Sequence, residues 1–260
     1  MDKITYLKRK LLRTASEVKF QREEFCYSCV RLKCNCLCPL ILPFETNIFF
    51  VFLMHPMEAK KEKMGTGKLT SLSLINSRII TGVDFSDDED VNSIISDTNN
   101  YCTILYPGKN SLDVSKHDIG PVRQKISDGK RLVVFLIDGT WPCAKKMMRL
   151  STNLRLLPRL SFTATHMSIF EIKEQPADYC LSTLESVQFF IKECNRLGIE
   201  HTDNQEDQMI NVFKAMIEFQ IKCSLDPNLS SYTSGRLGYS KKGERIRPKK
   251  WLTRSIVLAD

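Results

Sequence analysis

The sequence LVVFLIDGTWPCAKKMMRLS, residues 132–151, joins an apolar run to a basic segment of helical character. Residues 132–137 have the β-branched and aromatic content of a buried strand. Asp138 ends this run, and Pro142 lies in the first turn of the helix predicted to follow, where proline is favoured. A strand that passes directly into a helix is typical of α/β sheets, and the acid at the strand's end indicates a ligand site.

Two other apolar runs have the same character and the same kind of ending. Residues 47–54 and 102–105 are predicted to be buried strands, and the polar sequences HPME and YPG follow them. Apolar residues recur at helical spacing between 184 and 197 and between 208 and 222. This pattern predicts an α/β domain with a mostly parallel sheet, and such sheets bind ligands beyond the carboxyl ends of their strands. We therefore expect HPME, YPG and DGTW to form one site.

Weaker patterns predict the remaining elements. A helix followed by a short strand is expected over residues 69–82, and an acidic turn with a short helix over 84–100. Residues 109–129 are expected to form a polar loop. A fourth strand is predicted at 157–163, and residues 168–176 are interpreted as a fifth strand or a loop.

The composition is that of an ordinary globular protein. The 260 residues are 42% hydrophobic and 26% charged, which is enough apolar content for a sizeable core. No apolar run approaches the 18 or so residues of a membrane span, and the basic N-terminus lacks the apolar core of a secretory signal. We expect a cytoplasmic protein without a membrane partner.

The positive charge is concentrated at the two ends of the chain. The net charge is +8, and residues 1–22 hold seven Lys or Arg against two acids. Residues 231–254 hold eight basic residues against one acid, so the rest of the chain is slightly acidic. Basic ends on such a body favour a polyanionic partner, most simply nucleic acid. The alternative is that both ends are simply solvated tails.

Five of the ten cysteines fall between residues 26 and 38, which favours a metal site over disulfides. Cys26 and Cys29 form a C-x2-C knuckle, and Cys36 and Cys38 complete a set of four thiolates that suits structural zinc. The spacing leaves Cys34 with Cys36 as an alternative second pair. A metal-free thiol cluster and an iron–sulfur cluster are the other interpretations.

The order of motifs along residues 22–222 resembles one known family. C-x2-C-x6-C-x-C is followed by HPME, GTG, LYPG, DGTW and LSTLE, and this order is similar to that of the DTW-domain proteins. The resemblance implies a tRNA-uridine aminocarboxypropyltransferase. Such an enzyme moves the 3-amino-3-carboxypropyl group of S-adenosylmethionine to N3 of a tRNA uridine and releases methylthioadenosine. It also implies a SPOUT-like C-terminal knot, tRNA rather than DNA as partner, and the metal ligands Cys26, Cys29, Cys36 and Cys38.

With this resemblance the chain divides into four parts. Residues 1–21 form a basic arm, 22–42 a small N-terminal zinc knuckle with four cysteine ligands, 43–223 the catalytic domain, and 224–260 a basic tail.

The resemblance also implies roles for the residues in these motifs. Asp138 is the candidate base or acceptor for the proton on uridine N3, although it could instead serve as a helix cap. Trp141 is a candidate for stacking on a base, with core packing as the alternative. The candidate residues for binding S-adenosylmethionine, the group donor, are Leu105, Tyr106, Pro107, Gly108, Asp138, Gly139, Thr140, Leu181, Ser182, Thr183 and Glu185. The candidate RNA-binding or loop residues are His55, Glu58, Thr66, Lys68 and Lys173. Glu185 has a second interpretation, as part of a capping box.

The chain departs from the family pattern at two positions. Gly65 stands where the family has asparagine in its Asn-Thr-Gly tract, and Lys173 stands where it has arginine. Two alternative functions therefore remain: a SPOUT-type RNA methyltransferase, and a zinc-bearing RNA-binding protein whose catalytic site has decayed. A nucleotide hydrolase is disfavoured because the sequence has no GxxxxGK[ST] loop.

Overall fold

A computed structural model describes residues 25–61, 65–116, 119–170, 172 and 180–225. Its N-terminal part is a hairpin of two short antiparallel strands, β1 (Phe25–Cys26) and β2 (Arg31–Leu32). Two 3-10 turns follow, at Lys33–Asn35 and Cys38–Leu40. These elements carry the cysteine cluster.

The body of the protein is a six-stranded sheet in which every pair of neighbouring strands is parallel. The order across the sheet is β4-β3-β7-β5-β8-β6. The strands are β3 (Phe49–Met54), β4 (Ser77–Thr81), β5 (Asn100–Leu105), β6 (Leu112–Asp113), β7 (Arg131–Asp138) and β8 (Arg159–Ser161). The predicted fold class, α/β with a mostly parallel sheet and an N-terminal cysteine cluster, is confirmed. The C-terminal knot stays a prediction from the resemblance.

Helices cover both faces of the sheet. They are α1 (Pro56–Lys61), α2 (Thr66–Ser73), α3 (Glu89–Ser96), α4 (Gly120–Ser127), α5 (Trp141–Leu150), α6 (Thr152–Arg155), α7 (Thr183–Arg196) and α8 (Asp207–Leu225). A 3-10 turn at Val114–Lys116 follows β6. Among the described residues, no helix is long and apolar enough to cross a membrane.

Alternate residues along a strand point to opposite faces of the sheet and pack into two separate cores. Phe50 and Phe52 of β3 pack on one face with apolar residues of α2, α4, α7 and α8. Val51 and Leu53 pack on the other face with residues of α3, α5 and α6. Because both faces are covered, the strands are apolar throughout, which is the pattern seen in the sequence.

One of the weaker expectations is wrong, and two others are met. Residues 109–129 are not a simple loop, since they contain β6 and α4. Val122 is the buried residue of α4, so an apolar repeat at helical spacing is hardly visible there. The described part of 168–176 is a loop, one of the two alternatives expected for it. The fourth strand is confirmed as β8.

The division into four parts remains a prediction. The basic arm, residues 1–21, and all but the first two residues of the tail, 224–260, lie outside the described residues.

One buried carboxylate ties the start of β3 to the end of α7. Glu200 is 1% exposed. Its two oxygens accept hydrogen bonds from the backbone and side-chain N–H groups of Asn47 and from the backbone N–H groups of Ile48 and His201, at 3.0–3.1 Å. Hydrogen bonds to an ionised group are among the stronger ones in proteins.

Replacing this carboxylate should therefore destabilise the fold strongly. Glu200→Ala leaves several buried N–H groups without an acceptor, and we expect the free energy of unfolding to fall by about 3 kcal/mol. Urea denaturation followed by circular dichroism measures this. Glu218→Ala, at an exposed position of α8, is the control and should change the value by less than about 0.5 kcal/mol. Equal effects of the two substitutions would contradict the assignment.

Candidate active site and metal centre

Asp138 is the last residue of β7 and is only 5% exposed. It pairs in register with Met54, the last residue of β3. The chain then turns away at His55, whose backbone N–H donates to the Asp138 carbonyl oxygen at 2.9 Å. The HPME and DGTW segments thus meet at one edge of the sheet, as the sequence predicts.

The start of α7 reaches the same carboxylate. Thr183, the first residue of that helix, donates a hydrogen bond from Oγ1 to Oδ1 of Asp138 at 2.7 Å. A hydrogen bond to a carboxylate favours its ionised form and fixes its orientation. The resemblance also implies a role for Thr183, but that role is binding of S-adenosylmethionine rather than contact with Asp138.

The GTG segment approaches Asp138 from another direction. A Cβ atom placed on Gly67 would lie 2.3 Å from Oδ2 of Asp138, so only glycine allows this close approach. Gly67 is the second residue of α2, and its neighbour Thr66 is buried and begins that helix. The motif analysis singled out Thr66 and Lys68 but not Gly67, although the glycine lies between them.

Three helices therefore begin around one carboxylate. Gly67 lies in the first turn of α2, Thr183 begins α7, and Trp141 begins α5 three residues after Asp138. The N-terminal end of a helix carries a partial positive charge from its free N–H groups. These helix starts stabilise negative charge at the edge of the sheet, whether on Asp138 or on a bound anionic group.

The segment between β7 and α5 packs closely against neighbouring side chains. A Cβ atom on Gly139 would lie 3.3 Å from Cβ of His55 and 3.4 Å from Cβ of Cys143. Thr140 is the N-cap residue of α5 and is exposed. Trp141 is only partly buried and belongs to neither core.

The YPG segment follows β5, the neighbour of β7 on the side away from β3. The backbone N–H of Tyr106 donates to the Leu160 carbonyl at 3.0 Å, and the Arg159 guanidinium lies 5.8 Å from the centre of the Tyr106 ring. A Cβ atom on Gly108 would meet Nη1 of Arg159 at 2.7 Å. Burial raises the pKa of Tyr106, and the charge of Arg159 opposes that shift. Arg159 belongs to none of the motifs, so this contact has no signal in the sequence.

Glu185 lies two residues after Thr183, and its hydrogen bonds stabilise the fold. It is 1% exposed and accepts hydrogen bonds from Oγ of Ser168 and the backbone N–H groups of Ile169 and Ser182, at 2.7–2.8 Å. With Ser182 it forms the reciprocal capping box of α7. The capping interpretation is therefore confirmed.

The remaining candidates are more peripheral. Pro107 and Leu181 are half-buried in loops, and Leu105 is a half-buried residue at the end of β5. Glu58 and Lys68 are half-exposed on α1 and α2. Lys173 lies outside the described residues.

The four predicted cysteine ligands form a compact cluster. The Sγ atoms of Cys26, Cys29, Cys36 and Cys38 all lie within 4.8 Å of one another, and two of the sulfur pairs are 3.7 Å apart. A zinc ion with four bonds of about 2.3 Å requires sulfur–sulfur distances of about 3.8 Å, so the cluster fits tetrahedral zinc. Cys34 is exposed and is not a member, which decides between the two pairings that the spacing allowed.

The thiols of this cluster are electrostatically unequal. The backbone N–H of Cys29 is the main cause that lowers the pKa of Cys26 to about 6, with help from neighbouring thiols. Burial raises the pKa of Cys38. A cation placed between them would favour the thiolate form of all four.

Comparison with known proteins agrees with the motif order. A model of the DTW domain matches residues 23–221. The chain belongs to the DTW-domain family. Curated relatives named tRNA-uridine aminocarboxypropyltransferase 2 include one from Mus musculus, 25% identical over 215 residues that cover 81% of this chain and 68% of the relative. The relative from Drosophila melanogaster is 29% identical over 174 residues, 64% of each chain.

A further relative of the same name, from Macaca fascicularis, is 23% identical over 214 residues, again 81% of this chain and 68% of the relative. The chain thus spans about two thirds of the length of these relatives. No solved structure matches it.

The metal centre can be tested by removing one ligand. Cys38→Ser should lose bound zinc, because a serine hydroxyl is a poor zinc ligand, whereas Cys34→Ser should keep about one zinc ion per chain. Elemental mass spectrometry of the purified variants measures this. Loss of zinc from Cys34→Ser, or its retention in Cys38→Ser, would contradict the assigned ligand set.

Proposed function

We propose that this protein is a tRNA-uridine aminocarboxypropyltransferase that uses S-adenosylmethionine as group donor and modifies N3 of a tRNA uridine. The observation that carries the proposal is the buried Asp138 carboxylate, oriented by Thr183 and surrounded by three helix starts, in a chain of the DTW-domain family. The names of the relatives support the reaction class.

The reaction needs a base at the attacking nitrogen. S-adenosylmethionine supplies an electrophilic methylene next to a sulfonium. Uridine N3 bonds to this carbon as the carbon–sulfur bond breaks, and that bond's electrons stay on the sulfur of the released methylthioadenosine. Asp138 accepts the proton that N3 loses. Its fixed orientation at the strand end suits this role, because proton transfer requires the acceptor within hydrogen-bond distance.

The surrounding residues suit the two substrates. The loops at Leu105–Gly108 and Leu181–Thr183 offer backbone groups at the carboxyl edge of the sheet, where adenosine is typically held. Lys68, near the start of α2, supplies a cation for the donor's carboxylate or an RNA phosphate. Trp141 offers a partly exposed ring for stacking on a base. Zinc has a structural role in the N-terminal hairpin.

Removing the acceptor should abolish most of the transfer. Asp138→Asn keeps the shape of the side chain, and we expect kcat to fall by about a thousandfold because proton acceptance is lost. Nucleoside mass spectrometry of tRNA transcripts incubated with S-adenosylmethionine gives the product. Asp128→Asn, an exposed residue before β7 and at its opposite end, is the control and should behave as wild type.

The same assay separates the alternative reactions. A uridine heavier by one aminocarboxypropyl group, with methylthioadenosine as second product, supports the proposal. A gain of a single methyl group, with S-adenosylhomocysteine released, would replace it with methylation. Tight tRNA binding by the wild type without any product would favour a binding protein.

Thr183 offers a second test through the orientation of Asp138. Thr183→Ala removes the hydrogen bond that fixes this carboxylate, so we expect kcat in the same nucleoside assay to fall about tenfold. Thr183→Ser keeps the hydroxyl and should restore the wild-type rate. A wild-type rate in Thr183→Ala would show that Thr183 has no role in positioning Asp138.

A further inference from the structure

The exposed apolar side chains are concentrated around the cysteine cluster. Among the described residues, eight large hydrophobic side chains are exposed, and four of them lie between residues 27 and 42. Tyr27 is the second most exposed of the eight, at 79%, and it lies inside the C-x2-C turn. We call Tyr27, Val30, Lys33 and Leu40 the outer face of the knuckle. Four exposed apolar side chains on so short an element make it a candidate contact surface.

The inner side of the same element is anchored in the body. Leu37 and Ile41 belong to the core that α7 and α8 complete. Arg31 is 2% exposed, and its Nη2 donates to Sδ of Met216 on α8 at 3.0 Å. The outer face is therefore held at a fixed position relative to the catalytic domain.

The charged N-terminal segment leads directly into the strand that precedes Tyr27. Residues 1–24 hold seven basic and four acidic side chains, and they lead into Phe25 of β1. Residues 226–260 hold eight basic and three acidic side chains, and they follow α8. Leu225 lies about 14 Å along α8 from Met216, the residue that Arg31 contacts. Residues 25–225 hold 23 basic and 23 acidic side chains, so these two segments carry the whole net charge.

We propose that the outer face of the knuckle docks tRNA, with an unpaired base stacked on the Tyr27 ring. The inference rests on the proposed function for the identity of the RNA. Lysine and arginine are in excess in the two segments that flank the described chain, and contacts of such residues with phosphate supply affinity without choosing a position. The exposed ring adds a contact at a fixed place, because any base can stack on an aromatic side chain.

Charge favours RNA over a protein as the occupant. A protein-binding surface relies on buried apolar contact, and excess lysine and arginine on both flanking segments add little to it. A polyanion suits both features, since basic side chains attract its phosphates and an exposed aromatic ring stacks on its bases. Lys33, exposed on the same face, fits the same partner.

The test measures binding of a tRNA transcript to the full chain without S-adenosylmethionine, over a series of salt concentrations. We expect Tyr27→Ala to raise Kd about tenfold, with an unchanged salt dependence, and Tyr27→Phe to bind as wild type. Lys33→Ala should weaken binding and reduce the salt slope by about one. Leu156→Ala, an exposed residue at the amino end of β8, is the matched control and should bind as wild type.

Zinc content and the thermal melting midpoint of each variant establish that the knuckle is intact. With an intact knuckle, wild-type affinity in Tyr27→Ala would overturn the proposal and leave a protein partner as the occupant of the face. Weak binding by Tyr27→Phe would overturn stacking. If the protein modifies uridine but its tRNA binding does not depend on Tyr27, only this inference is refuted. If tRNA binding depends on Tyr27 but no modified uridine forms, only the proposed reaction is refuted.

Discussion

A carboxylate that is almost removed from water must be stabilised by its immediate surroundings, and Asp138 is the group on which the arrangement of this site depends. The parallel pairing of β3 and β7 places it level with the point where the chain leaves β3. Thr183 donates a hydrogen bond to it, and the helix starts of α2, α5 and α7 surround it. In a parallel sheet, the helices that follow the strands begin at the same edge, so several helix starts come together there.

Two buried carboxylates near the start of α7 show how similar groups take different roles. Glu185 accepts three hydrogen bonds from its own chain and closes a capping box. Its oxygens therefore hold the loop at Ser168 to the start of α7. Asp138 lies at the open edge of the sheet, beside the exposed Thr140 and the partly exposed Trp141. Position at the edge, more than burial, is what distinguishes Asp138 from Glu185.

The sequence predicts those features that local patterns encode. Apolar runs predict β3, β5 and β7, and the C-x2-C and C-x-C spacings predict the cysteine cluster, because strand and knuckle geometry depend on neighbouring residues. Thr183 lies 45 residues from Asp138 and Gly67 lies on a different helix, so neither contact has a periodic signal. The resemblance named both Thr183 and Asp138, but not the contact between them. It left out Arg159, whose contacts with Tyr106 and Gly108 depend on the pairing of β8 with β5.

Attracting a polyanion and positioning it are separate requirements, and charged segments alone do not meet both. Lysine and arginine in the flanking segments attract a polyanion over a distance of about a Debye length, but they bind phosphates of any sequence and in many positions. In the proposed reaction, transfer to a single ring nitrogen requires that nitrogen within hydrogen-bond distance of Asp138. Under that proposal, fixed elements must orient the RNA. The knuckle is suited to this proposed role because Leu37 and Ile41 anchor it in the core and Tyr27 remains exposed.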